Sequence, residues 1–362
     1  AAAPIWCHAQ KSRLIKMIWA MIHPHRAGGG GDDFLGGASA MSPHDSRDGC
    51  GSGLARFPAT LYDAGLFSMK FFPLCCPIFA GWLGLASLVA ASEPTPPPNA
   101  KLVEKTPEEL SPVPVSSLGE KVLAIQPQKW RHAESDHFIY HFRRVTEAQR
   151  AVREVEYTLW YVAKTLGAER ERYAKKSHVF IFQDEKEWKQ FVKDNGFPEW
   201  SGSFARGDEL YLSIARAGGQ FDSDTLAHEA THAVVARLYP GRRWPLWLNE
   251  GFAEYMGTAV QAARTKRYLK AMQSKLDKAH MDLEELFEMK KYPEDREKVT
   301  SLYQTSERVV RFLMTEFPRE RFPQFVEAVL EGKSFDDAAL AIYGDKVSSA
   351  KELHKKYDRF RD

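Results

Sequence analysis

Thr225-Leu226-Ala227-His228-Glu229-Ala230-Thr231-His232-Ala233-Val234-Val235 places two histidines four positions apart, with a glutamate directly after the first. On a helix, positions i and i+4 lie one above the other, so both imidazoles reach toward one point while Glu229 stands beside them. The flanks read as a helix. Asp222, Ser223 and Asp224 offer capping oxygens, Leu226, Val234, Val235 and Leu238 supply an apolar side, and Pro240-Gly241 stops the run. Such a pair is suited to binding a metal ion, but a five-residue pattern arises by chance too often to decide the matter alone.

A catalytic zinc site takes three protein ligands and leaves a position for water, so a third ligand has to arrive from a second element. The stretch Trp244-Pro245-Leu246-Trp247-Leu248-Asn249-Glu250-Gly251-Phe252-Ala253-Glu254-Tyr255 meets that need. Pro245 suits the first turn of a helix, and Glu250 and Glu254 then share one face. A competing arrangement puts a histidine six positions after the second one and a glycine at the third. Here those places are Leu238 and Val235, so the first helix runs on.

Together, His228-Glu229-x-x-His232 and Trp247 to Tyr255 resemble the gluzincin peptidases, closest to bacterial peptidase-MA-like domains and more distantly similar to thermolysin and the alanyl-type aminopeptidases. The resemblance covers about residues 130 to 362. It implies that His228, His232 and Glu250 are ligands of one catalytic Zn2+ ion, that Glu254 is an acidic residue holding a ligand histidine, and that Asn249 does the same for the other imidazole. Tyr303, in Leu302-Tyr303-Gln304-Thr305-Ser306, resembles the tyrosine that donates to the transition state in aminopeptidases; a core or surface tyrosine is the other reading. No Gly-x-Met-Glu-Asn segment precedes the metal helix, which argues against aminopeptidase activity.

The chemistry asks for these residue types. Zinc makes its bound water acidic, and a carboxylate at Glu229 can take that proton and pass it to the leaving amine. Negative charge developing on the scissile carbonyl needs a further donor, the role expected of Tyr303. In gluzincins an edge strand before the metal helix pairs with the substrate backbone. Glu209 to Ile214 is expected to play that part, with a peptide or protein substrate bound extended along strand 209–214.

Working outward, His137 to Phe142, Ser177 to Phe182 and Glu209 to Ile214 have strand character, with helical spacing over Glu147 to Leu166 and Glu185 to Asp194. After Asp222 everything reads as helix: 223–239, 245–273, 282–289, 299–316, 319–331, 334–342 and 345–360. Strands early and helices late predict an α+β fold, a small N-terminal mixed sheet with helices followed by a mainly helical, zincin-type C-terminal half. His137 and His141 share a strand face, which is read as half-exposed rather than as a ligand pair. His132, His178, His280 and His354 are read as ordinary.

The N-terminal third differs in kind. All four cysteines precede Glu93, so the rest of the chain does not depend on disulfides. Removing the seven basic and five acidic residues before Glu93 from totals of 50 and 48 leaves 43 of each, a balance that gives no electrostatic case for nucleic acid or an anionic membrane. Met69-Lys70 followed by the uncharged run Phe71 to Ser92, ending in Ala90-Ala91-Ser92, reads as a signal peptide (69–92), with an uncleaved anchor as the other reading. Cleavage would leave no stable membrane anchor and would make the protein exported, periplasmic or extracellular. Residues 1–68 are expected to be either non-native upstream sequence or a disordered extension, and 93–129 a Pro-rich linker, with the peptidase domain at 130–362.

Three functions compete at this level. They are peptide-bond hydrolysis, a zinc-stabilised binding module without turnover, and hydrolysis of another amide such as cell-wall material, since zinc and a glutamate do not by themselves select peptides.

Overall fold

Alternating side chains on β4 (Ser177–Phe182) decide how the molecule is layered. Val179 and Ile181 point to one side of the sheet and Phe180 and Phe182 to the other, and all four are buried. A strand buried on both faces needs helices on both. In the computed structural model, residues 100–197, 202–214, 223–265 and 281–360 are described, all within one compact unit. The expectations for residues 1–68 and 69–92, for His280, for Asp222 as a cap and for a helix continuing past 265 lie outside the described residues.

The elements are β1 (Val103–Lys105), α1 (Ser117–Leu123), β2 (Arg131–Glu134), β3 (Phe138–Phe142), α2 (Val145–Thr165), β4, α3 (Glu185–Asp194), β5 (Ser203–Arg206), β6 (Glu209–Ser213), α4 (Ser223–Leu238), α5 (Leu246–Thr265), α6 (Leu283–Glu288), α7 (Arg296–Glu316), α8 (Phe322–Leu330), α9 (Phe335–Tyr343) and α10 (Ala350–Arg359). Six strands form one mixed sheet in the order β1-β2-β3-β4-β6-β5. β3, β4 and β6 run parallel, and the pairs β1–β2, β2–β3 and β5–β6 are antiparallel. The fold is α+β, with the sheet first and a mainly helical second half.

The larger core joins the Val179 face to α2, α4, α5 and α7 through Tyr140, Val155, Leu159, Val234, Phe252 and Phe312 among others. The smaller core packs Phe180, Phe182, Phe204 and Tyr211 against Trp130, Trp188 and Phe191.

Three expectations change here. Structure starts well before Trp130, because the stretch read as linker contains β1 and α1. Its prolines exclude long elements, but side chains tie it to the sheet: Lys105 Nζ donates to Glu134 at 2.9 Å, the Ser111 amide to the same carboxylate at 2.5 Å, and the Ser116 amide to Glu209 at 2.8 Å. Burial alone would raise the pKa of Glu134; bonds from Lys176, Ser111 and Lys105 outweigh it and hold the carboxyl at about 2.

His141 is not half-exposed but 1 % exposed, because helices cover both faces. It contacts His132 (Nδ1 to Nδ1, 2.8 Å) and His178 (Nε2 to Nδ1, 2.9 Å), while His137 Nδ1 lies 2.7 Å from Glu156. The two histidines therefore have separate partners and form no ligand pair.

β6, finally, is not an edge. It is hydrogen bonded to β4 on one side and β5 on the other, so a substrate has no free backbone to pair with along 209–213. The sheet ends on β5, four residues that carry too little pattern to be read as a strand from sequence.

Candidate metal centre

The helix α4 begins at Ser223 and ends at Leu238, where Gly241 takes φ +76° in the turn that follows. Helical spacing brings His228 Nε2 and His232 Nε2 to 2.9 Å of each other. After the turn, Pro245 accepts from the Asn249 amide at 2.9 Å and α5 starts.

Two glycines let α5 approach its neighbours closely. A Cβ on Gly257 would stand 3.0 Å from the carbonyl oxygen of Asp224 on α4, and one on Gly251 would overlap the backbone of Ser306 on α7. Glu250 is carried into the gap between α4 and α7 by this packing. Its Oε2 lies 3.7 Å from His228 Nε2 and its Oε1 3.6 Å from His232 Nε2.

His228, His232 and Glu250 are the one group of three His, Cys, Asp or Glu side chains among the described residues whose ligand atoms all fall within 4.8 Å of one another. The donor set fits a divalent ion of borderline softness: two imidazoles and one carboxylate, from two helices, converging on one point. His228 is 2 % exposed and Glu250 fully buried, so the carboxylate is withdrawn from water where a cation would compensate it. Glu229 is also fully buried, on the same turn as His228.

Glu254 Oε1 lies 3.9 Å from His228 Nδ1, the nitrogen turned away from His232. This is the side on which a ligand histidine is steadied, at a separation longer than a hydrogen bond. Asn249 departs from expectation, because its Nδ2 donates to Glu250 Oε1 at 3.3 Å and not to a histidine. As an immediate neighbour of Glu250 on the helix, it reaches the carboxylate first.

Tyr303 is buried on α7, its ring 6.4 Å from that of Tyr292. Tyr292 is the residue that sequence reasoning missed. It lies between α6 and α7, and its hydroxyl donates to Glu250 Oε1 at 2.6 Å. Nothing in Lys290-Lys291-Tyr292-Pro293 announces that contact; the only signal is an aromatic with a polar tip in a short connector.

With this geometry stands a sequence-level finding: the profile of the peptidase MA superfamily matches residues 161–358, more than half of the chain. The chain belongs to the peptidase MA superfamily. The match takes in α4 and α5, which carry His228, His232 and Glu250, and the trailing helices to α10. Membership makes this a metallopeptidase-like domain of a peptidase-type enzyme, in a family that is typically zinc-dependent. No curated protein matches the chain closely enough to count as a relative. Among the described residues, no helix is long and apolar enough to cross a membrane.

Proposed function

We propose that this peptidase MA domain is an exported zinc-dependent peptidase of the gluzincin type. The observation that carries the reading is the convergence of His228, His232 and Glu250 on one point with Glu229 on the same helix turn. His228, His232 and Glu250 would hold the ion. When bound, zinc would acidify water in the site and polarise the scissile carbonyl.

The remaining work belongs to the chain's own side chains. Glu229, buried beside the ligands, takes a proton from the attacking water and delivers it to the leaving nitrogen, so that one carboxylate serves as base and then acid. Glu254 steadies His228 from its Nδ1 side. Tyr303 supplies the hydroxyl that meets developing charge on the carbonyl oxygen. A peptide substrate lies extended, and β5 is the strand to which it adds. β5 ends the sheet, runs antiparallel to β6 and packs against α4, so a strand added there passes beside the metal helix.

Export rests on Met69 to Ser92. N-terminal sequencing of exported protein should find a start near Ser92 or Glu93, and a start upstream of Met69 would remove this part of the proposal. Activity is tested by offering the purified protein denatured protein, short peptides and cell-wall fragments, with and without chelator. Chelator-sensitive cleavage of peptides supports the reading. Turnover of cell-wall amides alone, or zinc binding without any turnover, would replace it with the corresponding alternative.

A further inference from the structure

The connector between α6 and α7 is held at both ends. Asp282 caps α6 by accepting from the Glu284 and Glu285 amides at 2.9 and 3.3 Å, and Phe287 packs on Trp247 of α5 with ring centroids 5.0 Å apart. Asp295 caps α7 by accepting from the Lys298 amide at 2.8 Å. The two helices are also tied to each other, by Lys298 Nζ on Glu285 at 3.0 Å and by the Met281 amide on Thr305 Oγ1 at 3.0 Å. Tyr292 is delivered by a short loop between fixed posts.

What it meets is a carboxylate with two nearly equivalent oxygens. Each oxygen of Glu250 lies within 3.7 Å of one ligand imidazole, so these distances leave open which one would face an ion, or whether both would. Two donors break the tie, and both choose Oε1: the Tyr292 hydroxyl at 2.6 Å and Asn249 Nδ2 at 3.3 Å. The first is a short, charge-assisted O–H···O⁻ bond, the stronger of the two. An oxygen engaged in this way has less to give a metal, and a carboxylate anchored through it cannot turn freely about its last bond.

We propose that Tyr292 is a positioning residue that fixes Glu250 for one-oxygen ligation, leaving Oε2 to the ion. The inference rests on the zinc-peptidase reading above. It gives the two neighbouring phenols different roles, with Tyr292 acting through the third ligand and Tyr303 acting on the substrate.

The test uses the full chain stripped of metal and titrated with zinc against a competing chelator. Tyr292→Phe removes the hydroxyl and keeps the ring, so the zinc Kd should weaken by about 10- to 100-fold, the usual effect of losing an outer partner of a ligand. Tyr303→Phe, at a residue assigned to the substrate and not to Glu250, should weaken the Kd less than Tyr292→Phe does. With cobalt(II) in place of zinc, Tyr292→Phe should also weaken the visible absorption band, because a carboxylate free to bind through both oxygens raises the coordination number, and coordination geometry is what that band reports. Wild type that takes up no zinc would sink the zinc-peptidase reading itself. Wild type that binds zinc beside a Tyr292→Phe protein with the same Kd and the same cobalt spectrum would overturn only the role given to Tyr292. A circular dichroism spectrum of the metal-free variant matching wild type confirms that the comparison is between folded proteins.

Discussion

Gly257 faces His228 across the α4–α5 interface at van der Waals range: a Cβ on the glycine would stand 3.6 Å from the Cβ of the histidine. Glu250 comes close to His228 and His232 because α5 has no side chain there, nor at Gly251, where it meets α7. The two positions differ in how much room they leave. At Gly251 a Cβ would lie 2.6 Å from the carbonyl carbon of Ser306, and backbone cannot step aside; at Gly257 the tightest contact is 3.0 Å.

Substitution should follow that order. Because the clash at Gly251 is with backbone, overpacking in Gly251→Ala should cost toward the upper end of about 1 to 3 kcal/mol and destabilise the fold even after the roughly 1 kcal/mol that alanine gains over glycine inside a helix. For Gly257→Ala the gain and the cost should cancel to within about 1 kcal/mol. Urea denaturation of the metal-free proteins measures both, and a larger loss at Gly257 would show that α5 is not held against α7 as described.

The proposed metal ligands can be separated from the residues proposed to support them. His228→Ala, His232→Ala and Glu250→Ala should each lose stoichiometric zinc on dialysis. Glu254→Ala, which leaves all three ligands in place and sits 3.9 Å from His228 Nδ1, should only weaken zinc retention by about 10- to 100-fold. Full zinc content in Glu250→Ala would remove the gluzincin assignment.

Stability should fall with acid in two steps that begin at different pH. His178 Nε2 lies 3.2 Å from the Val113 carbonyl, which can only accept, so that nitrogen carries the proton. His178 Nδ1 must then accept from His141 Nε2, and His141 Nδ1 from His132 Nδ1, which sets all three neutral tautomers. Burial lowers the pKa of each ring below the ordinary 6.5; the neighbouring imidazoles lower His141 further, while Glu108 near His132, and Asp208 and Glu209 near His178, oppose the shift.

The unfolded chain therefore binds protons first. The stabilisation is complete above about pH 6.5 and is lost as pH falls below it. Glu134, with its carboxyl near 2, adds a second loss that begins only below its unfolded value of about 4.5. The urea midpoint should drop between pH 7.5 and 5.5, and His141→Phe, which removes the most buried ring, should flatten that drop. An unchanged slope in the variant would place the titration elsewhere.

How far the sequence can be read depends on whether the signal is local. His228, His232 and Glu250 can be found because a helix converts linear spacing into proximity, and β4 because it carries the unbroken apolar run Val179 to Phe182. β1 and α1 cannot, since prolines dominate that stretch and its order comes from distant partners, Glu134 and Glu209. β5 is too short to show a pattern, which leaves β6 looking like the edge. Tyr292 reaches Glu250 across 42 positions through the packing of three helices, and no local rule encodes that.

Glu229 separates an enzyme from a metal-binding module. Glu229→Gln keeps the size and polarity of a fully buried side chain and leaves His228, His232 and Glu250 untouched, so zinc should remain at one equivalent by atomic absorption. What glutamine cannot do is accept a proton from the attacking water at neutral pH. Positioned acid–base groups contribute about 10²- to 10⁴-fold, roughly 3 to 5.5 kcal/mol of barrier, so cleavage of a peptide substrate should collapse by that factor. Because the carboxylate acts on bond breaking more than on substrate capture, the loss should fall on kcat with KM little changed. Equal zinc with equal turnover would mean that another group moves the proton, and Glu254, half-buried near His228, would be the next residue to replace.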